Sequence, residues 1–339
     1  MRAEDWVKRG RRTRRRRRLM VTFAFTGLIA GLGLCFLTLG ATVYSLSDCF
    51  RVFRGETVPG ATFAILTLRL PRLLGGLLAG FSFGLGGSVF QKLLRNPLAS
   101  PDVIGISSAS SAGAIFCLLV LRWKGPLVSG VSALGALFIG ILLYGLSRGG
   151  SSGGGRLILQ GLGLGAMLRS FISYLLLRAS QYDVPGAFRW LSGSLNGIQW
   201  EDLGPLAGAL VIGGPFLFFL SRNIEVLELG EQRARSLGVR VDFVSPLLML
   251  MGIILIAFGT ALTGPIAFVS FLSGPIARRL TGFGGILPSG LMGGILVLGG
   301  DLLGQFAFDV RFPVGVITGI FGAPYLIFLL IQKSPGGGA

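Results

Sequence analysis

Apolar stretches of roughly membrane-spanning length follow one another through most of this chain, from Leu19 to a segment that ends near Gln332. A helix needs roughly 20 apolar residues to cross about 30 Å of hydrocarbon, and nothing in that layer can satisfy an open strand or a bare loop. Read with that ruler, the sequence predicts ten spans, near 19–45, 69–94, 103–122, 126–147, 156–178, 203–221, 242–263, 264–280, 284–306 and 313–332. The stretch 242–280 is the hardest to divide. Charged residues make up only 13% of the 339, about half the share of a soluble domain, so there is too little polar surface to clothe a globule in water. The expected fold class is therefore all-α and polytopic in a membrane.

What the chain lacks narrows its chemistry. It contains no histidine, which excludes a Ser-His-Asp triad, a His-liganded zinc and a haem histidine. Cys35, Cys49 and Cys117 are scattered through apolar stretches without CxxC spacing, so they read as small buried hydrophobes rather than a metal site. The run Gly149 to Gly155 reads as a flexible loop. It lacks the Lys-Ser/Thr that a phosphate-cradling loop requires. No catalytic residue and no metal ligand is assigned.

The positive charge is concentrated at one end. Residues 1–18, with the unbroken run Arg14 to Arg18, carry a net charge of +8 out of +17. Such a run before an apolar stretch could be a nucleic-acid arm, a secretory or twin-arginine signal, or the cytoplasmic flank of a first membrane helix. No basic folded domain comes after it, so nucleic acid is not an expected partner. The rest of the chain is further membrane spans, so the reading is a retained anchor with its N-terminus inside. Ten spans would return the tail, 333–339, to the same side. Lys92, Arg95, Arg148, Arg156, the 222–241 segment, Arg278 and Arg279 would then lie inside, while Arg51, Arg54, Arg122 and Lys124 fall outside.

Glycine organises the spans. Gly76, Gly80 and Gly84 recur every fourth residue, as do Gly161 with Gly165 and Gly290 with Gly294. Each set forms a smooth strip where another backbone can come close.

Motifs separate the remaining membrane classes. From Arg69 the chain reads RLPRLLGGLLAGFSFGLGGSVFQKLLRNPLASPDVIGISSASSAGA; then come WLSGSLNGIQWEDL at 190–203, LELGEQRARSLGVRV at 227–241, GPIAFVSFLSGPIARRLTG at 264–282 and FPVGVITGIFGAPYLIFLL at 312–330. These five ordered motifs closely resemble the iron-siderophore, haem and vitamin B12 permeases of ABC importers, over about residues 20 to 332. The arginine-rich arm lies outside the resemblance, and 19–332 is expected to form one permease domain.

The resemblance implies ten helices per subunit, in the vitamin B12 permease-like (type II importer) fold, in a prokaryotic cytoplasmic membrane with both termini cytoplasmic. It implies a second permease subunit, two ATPase subunits that bind the ATP and magnesium, and an extracytoplasmic binding protein; this chain itself would hold no cofactor. Arg69 and Arg72, three residues apart at the outer mouth of the second span, would meet acidic residues of that binding protein. Interfacial snorkelling is the alternative. Gln305 stands where the vitamin B12 permease has a further outer arginine, and Arg311 is the substitute candidate.

The segment 228–240 resembles the family's coupling element, a short helix pair that seats in the ATPase. Its members are Leu229, Gly230, Glu231, Ala234, Arg235, Ser236, Leu237 and Gly238, with the two glycines bracketing a rigid unit. Arg169, midway along the fifth span, would face a wet pathway and ease an anionic chelate through, or would pair with Asp301. Gly274-Pro275, where many members read Pro-His, and the WLSGSL motif look most like the enterobactin-type branch. Ferric siderophore is therefore the expected cargo, with haem or cobalamin, or an ion-coupled secondary transporter, as alternatives.

Overall fold

The structure is a computed structural model that describes residues 3–97, 99–102, 104–147 and 153–333. Its regular structure is all helical, with no strand among the described residues. Seven helices are long and apolar enough to cross a membrane, and two shorter apolar ones, Ile106–Leu121 and Val314–Leu329, join them. A tenth, Val269–Thr281, has 13 residues. At 1.5 Å per residue it covers roughly 20 Å, less than the hydrocarbon layer. We number the helices α1 (Ala3–Thr38), α2 (Leu46–Phe53), α3 (Ala61–Leu93), α4 (Ile106–Leu121), α5 (Pro126–Ser147), α6 (Gly153–Arg178), α7 (Val184–Leu191), α8 (Trp200–Phe219), α9 (Ser221–Leu227), α10 (Glu231–Ser236), α11 (Val241–Thr263), α12 (Val269–Thr281), α13 (Ile286–Phe306) and α14 (Val314–Lys333).

Three boundaries depart from the hydropathy reading. The first helix stops at Thr38 rather than near residue 45, and the chain then turns into the short α2. The second span begins eight residues earlier than expected, with a π-helical stretch at Ala64–Arg69. The stretch 242–280 divides at Gly264, where the sequence reading put the break and where a φ of +70° suits glycine, but the next helix starts only at Val269, five residues later than expected. Hydropathy cannot register these breaks, because the residues on both sides are apolar. Gly153, Gly154 and Gly155, read as loop, open α6. Arg148 and the residues up to 152 lie outside the described residues, as does the tail from 334.

The core is a seam between α3 and α13. A Cβ on Gly80 would sit 2.5 Å from the Gly293 carbonyl oxygen, and one on Gly84 would strike the Ser289 carbonyl. Backbone therefore meets backbone, and the glycine strip read from the sequence is what permits it. On its other side α3 meets α12, where Gly87 lies against Ser270. Gln91 donates its Nε2–H to the Phe271 carbonyl at 2.8 Å. That carbonyl would ordinarily be bonded by residue 275, which is a proline and has no N–H. One side chain thus repairs the backbone that the Gly274-Pro275 pair opens.

The basic arm continues α1 without a break, and Arg12 to Arg18 are exposed. Arg17 donates to the carbonyls of Leu280 (3.0 Å) and Arg279 (3.1 Å), and the Arg18 guanidinium lies 4.0 Å over the Phe283 ring. The arm thereby caps the last turn of α12, where free carbonyls and the helix dipole favour a cation. We call this the basic end of the bundle, and the other the far end. Cys49 and Cys117 are buried and Cys35 half-buried, all three as free thiols.

Candidate coupling segment and far rim

At the basic end, residues 228–240 form the compact unit the sequence suggested. Gly230 (φ +108°) precedes α10 and Gly238 (φ +84°) comes after it, so both turns use conformations open mainly to glycine. The end of α10 closes with paired bonds from the Gly238 N–H to the Arg235 carbonyl and from the Val239 N–H to the Ala234 carbonyl, both 3.0 Å. Ala234 is fully buried against the bundle, whereas Leu229 and Leu237 are 52% and 63% exposed. Arg235 bonds Asp242 at 2.8 Å and lies 4.0 Å from Glu231. Arg278 of α12 reaches back to Glu228 at 2.5 Å. The unit is thus held on one face and presents two bare leucines with Glu231, Arg233 and Ser236 on the other. A small rigid element fastened to α12 can transmit a displacement into the bundle.

At the far end, Arg69 and Arg72 turn to different partners. Arg69 donates to the carbonyls of Leu37 and Thr42, each at 2.6 Å, and its guanidinium lies 4.9 Å from the Tyr44 ring centre. It therefore caps the end of α1 and holds the turn into α2, where the Ser45 side chain and then its backbone N–H keep the Asp48 carboxyl below the usual range. Arg72 makes a two-pronged contact with Asp301 of α13, at 2.9 and 2.8 Å, and a third bond to Asn196 at 2.5 Å. Asp301 is buried, and Gln305 donates to it at 2.6 Å.

That arrangement corrects one expectation. Asp301 pairs with Arg72, not with Arg169. Arg169 is exposed on α6, and its closest polar contact is a long 3.5 Å approach to the Ser108 hydroxyl. Arg311 is exposed and makes no ion pair among the described residues. Of the three arginines assigned to the rim, two are held by the fold and Arg311 stands free.

The same end explains three motifs. Gly193 lies against the Pro265 carbonyl, Gly264 against the Trp190 carbonyl and Gly315 against the Ser192 carbonyl. The Ser194 N–H bonds the Thr263 carbonyl at 2.7 Å, and the Gly315 N–H bonds the Gly193 carbonyl at 3.2 Å. The WLSGSL, TGPIAF and FPVGV stretches are thus a single backbone junction.

Sequence reasoning passes over Asp102, which lies deep among the helices while keeping part of its surface open. It accepts hydrogen bonds from Ser107 and, at 3.1 Å, from Ser270. Burial pushes its carboxyl upward, against the lowering effect of the two hydroxyls. Asp102 stands inside a recognised motif; nothing local marks it as the link between α4 and α12.

Residues 28–332 match the FecCD transport family. The chain is 35% identical to the ferric enterobactin transport system permease protein FepG of Escherichia coli, over 94% of this chain and 98% of that one. It is 34% identical to the Fe(3+)-citrate import system permease protein YfmE of Bacillus subtilis, over 88% and 89%. With the cobalamin import system permease protein BtuC of Halobacterium salinarum it shares 31%, over 79% and 73%. A solved metal-chelate type ABC transporter in an inward-facing conformation superposes with a TM-score of 0.82 at 25% identity, covering 92% of this chain and 99% of that one. The motif order, the helix count and these matches agree: the chain is an ABC-importer permease and belongs to the FecCD transport family.

Proposed function

We propose that this permease carries a ferric siderophore across the cytoplasmic membrane, driven by ATP that separate subunits hydrolyse. The chain has the role of a transport subunit; two ATPase subunits would hold the ATP and magnesium. A second permease, identical or not, would complete the pathway, and an extracytoplasmic binding protein would deliver the chelate. In this reading the basic end, with both termini, is cytoplasmic and the far end faces the binding protein. The relatives named for ferric enterobactin and ferric citrate support an iron chelate as cargo, and the cobalamin relative stands for the alternative.

The observation that carries the proposal is the unit at 228–240, anchored through Ala234 and Glu228 and bare at Leu229 and Leu237. An isolated helix of six residues has no stability of its own. Holding one rigid with its apolar side chains outward makes sense as a surface for a partner. Arg169 would line the pathway between two permeases, where a cation lowers the barrier for an anionic chelate. Arg311 would meet acidic groups of the binding protein directly, while Arg69 and Arg72 would form the shaped floor of that rim.

Affinity purification of the tagged permease from its own host tests the coupling assignment. Leu237→Glu with Arg233→Glu should abolish recovery of the ATPase subunit and leave the permease itself folded. Full recovery of the ATPase with this double variant would overturn the assignment.

A further inference from the structure

A cavity of about 220 Å³ lies at the basic end between the last turn of α3, the coupling segment and α12. Lys92, Arg95 and Arg278 line it, with Glu228 the one carboxylate among its walls. Lys92 is only 5% exposed, and its ammonium has no hydrogen-bond or ion-pair partner among the described residues. Glu228 gives its carboxylate to Arg278 instead. Glu228, and more weakly Glu225, which does not line the cavity, act on Lys92 through space without bonding it. The Arg95 guanidinium lies over Gly230, at the start of the coupling helix. Ser88 and Ser289 point their hydroxyl hydrogens at the Leu85 and Gly285 carbonyls, each at 2.9 Å. Apart from the second N–H of the Gln91 amide, whose first goes to the Phe271 carbonyl, the donors left facing the cavity are cationic.

A buried ammonium needs three acceptors or a counter-ion, and leaving it with neither is costly. One water could serve one N–H but would not offset the charges. A tetrahedral phosphate oxyanion sets its oxygens in more than one plane, so it can meet a lysine ammonium and an arginine fork at once. We propose that this cavity binds a phosphate-class oxyanion, either free phosphate or the phosphodiester of an anionic lipid. Bound there, the anion ties the end of α3 and α12 to the residues that open the coupling segment. The site stands apart from the choice of cargo and from the ATPase assignment.

The test uses the full chain in maltoside micelles, with thermal unfolding followed against sodium phosphate and against sodium chloride at matched ionic strength. A parallel arm titrates phosphatidylglycerol into the same micelles. A saturable rise in Tm with phosphate, or with phosphatidylglycerol alone, supports the site and identifies the source. Lys92→Met should weaken that response at least tenfold in midpoint concentration, and Lys92→Arg should retain it. The readout is the anion-dependent shift, so a change in basal stability on removing the buried charge does not confuse it. Broadening of the phosphorus NMR signal by the wild type and not by Lys92→Met gives the same answer without unfolding. Equal shifts in chloride and phosphate together with no response to phosphatidylglycerol, or an undiminished response in both Lys92→Met and Arg278→Gln, would overturn the proposal.

Discussion

Helices α3 and α6 carry the same glycine spacing and use it differently. On α3 the strip is consumed: Gly80 and Gly84 meet the backbone of α13, while Gly87 meets α12 behind. On α6 only one edge is used, where a Cβ on Gly161 would sit 2.7 Å from the Ile104 Cα and one on Gly165 3.4 Å from the Gly105 Cα. A Cβ on Gly163 would meet no neighbouring element within 4 Å, and Met167 and Leu177 are 70% and 86% exposed. A small-residue strip therefore says that a helix can be approached closely, not how many of its faces are. The two helices divide the molecule into a seam that fixes the fold and a face left for lipid, pathway or a second permease.

The sharpest way to break that contrast is to fill each strip. Gly84→Leu should prevent the α3–α13 seam from closing, because the obstructing atom is a backbone carbonyl and the helices themselves must move. We expect a loss of roughly 3 kcal/mol or more and no monodisperse species on size exclusion. Gly163→Leu, facing open space, should leave the elution profile unchanged.

Next in size is the ion pair that ties the same two helices at the far end. Arg72→Ala strands the buried Asp301 and should cost about 3–5 kcal/mol, read as a fall in Tm. Adding Asp301→Asn should recover most of it. If the single variant is as stable as the wild type, the pair is ornamental and Arg72 is free to dock.

On α6 the expected effects move from stability to transport. Arg169→Gln should change unfolding by no more than about 0.5 kcal/mol, since its side chain is exposed and only loosely bonded. Chelate uptake by cells carrying that variant should nevertheless fall several-fold. A stable protein with undiminished uptake would return the residue to the lipid face.

The ten-helix plan, the glycine strip of α3 and the compact helix at Glu231–Ser236 are legible in the sequence because each is written locally, as hydropathy, as a four-residue repeat or as a glycine-bracketed helix. Asp301 is different: the sequence offers Arg169 as its partner, and the fold supplies Arg72. That residue is 229 positions away in sequence, and no local pattern encodes the distance. The end of α1 escapes a local reading for a related reason, since Arg69, from the next span, caps it. Gln91 and Pro275 both stand within recognised motifs, but their complementarity emerges only once α3 and α12 lie side by side.

The smallest predicted effect concerns Asp102. Its carboxyl is raised above the ordinary 3.8, so its contribution to stability is fully present below that value and is lost as pH rises through the folded pKa. Between those limits Tm should increase slightly on acidification, and Asp102→Asn should remove that slope. An unchanged slope in the variant would assign it to another group.

The central claim is that this chain moves a ferric chelate at the expense of ATP. Uptake of radiolabelled iron from a panel of ferric siderophores, by cells with the gene deleted and then restored, tests it most directly. The account predicts that deletion abolishes uptake, that restoration recovers it, and that ATP depletion stops it even when a proton gradient is imposed. Uptake that persists without ATP while the gradient lasts would contradict it.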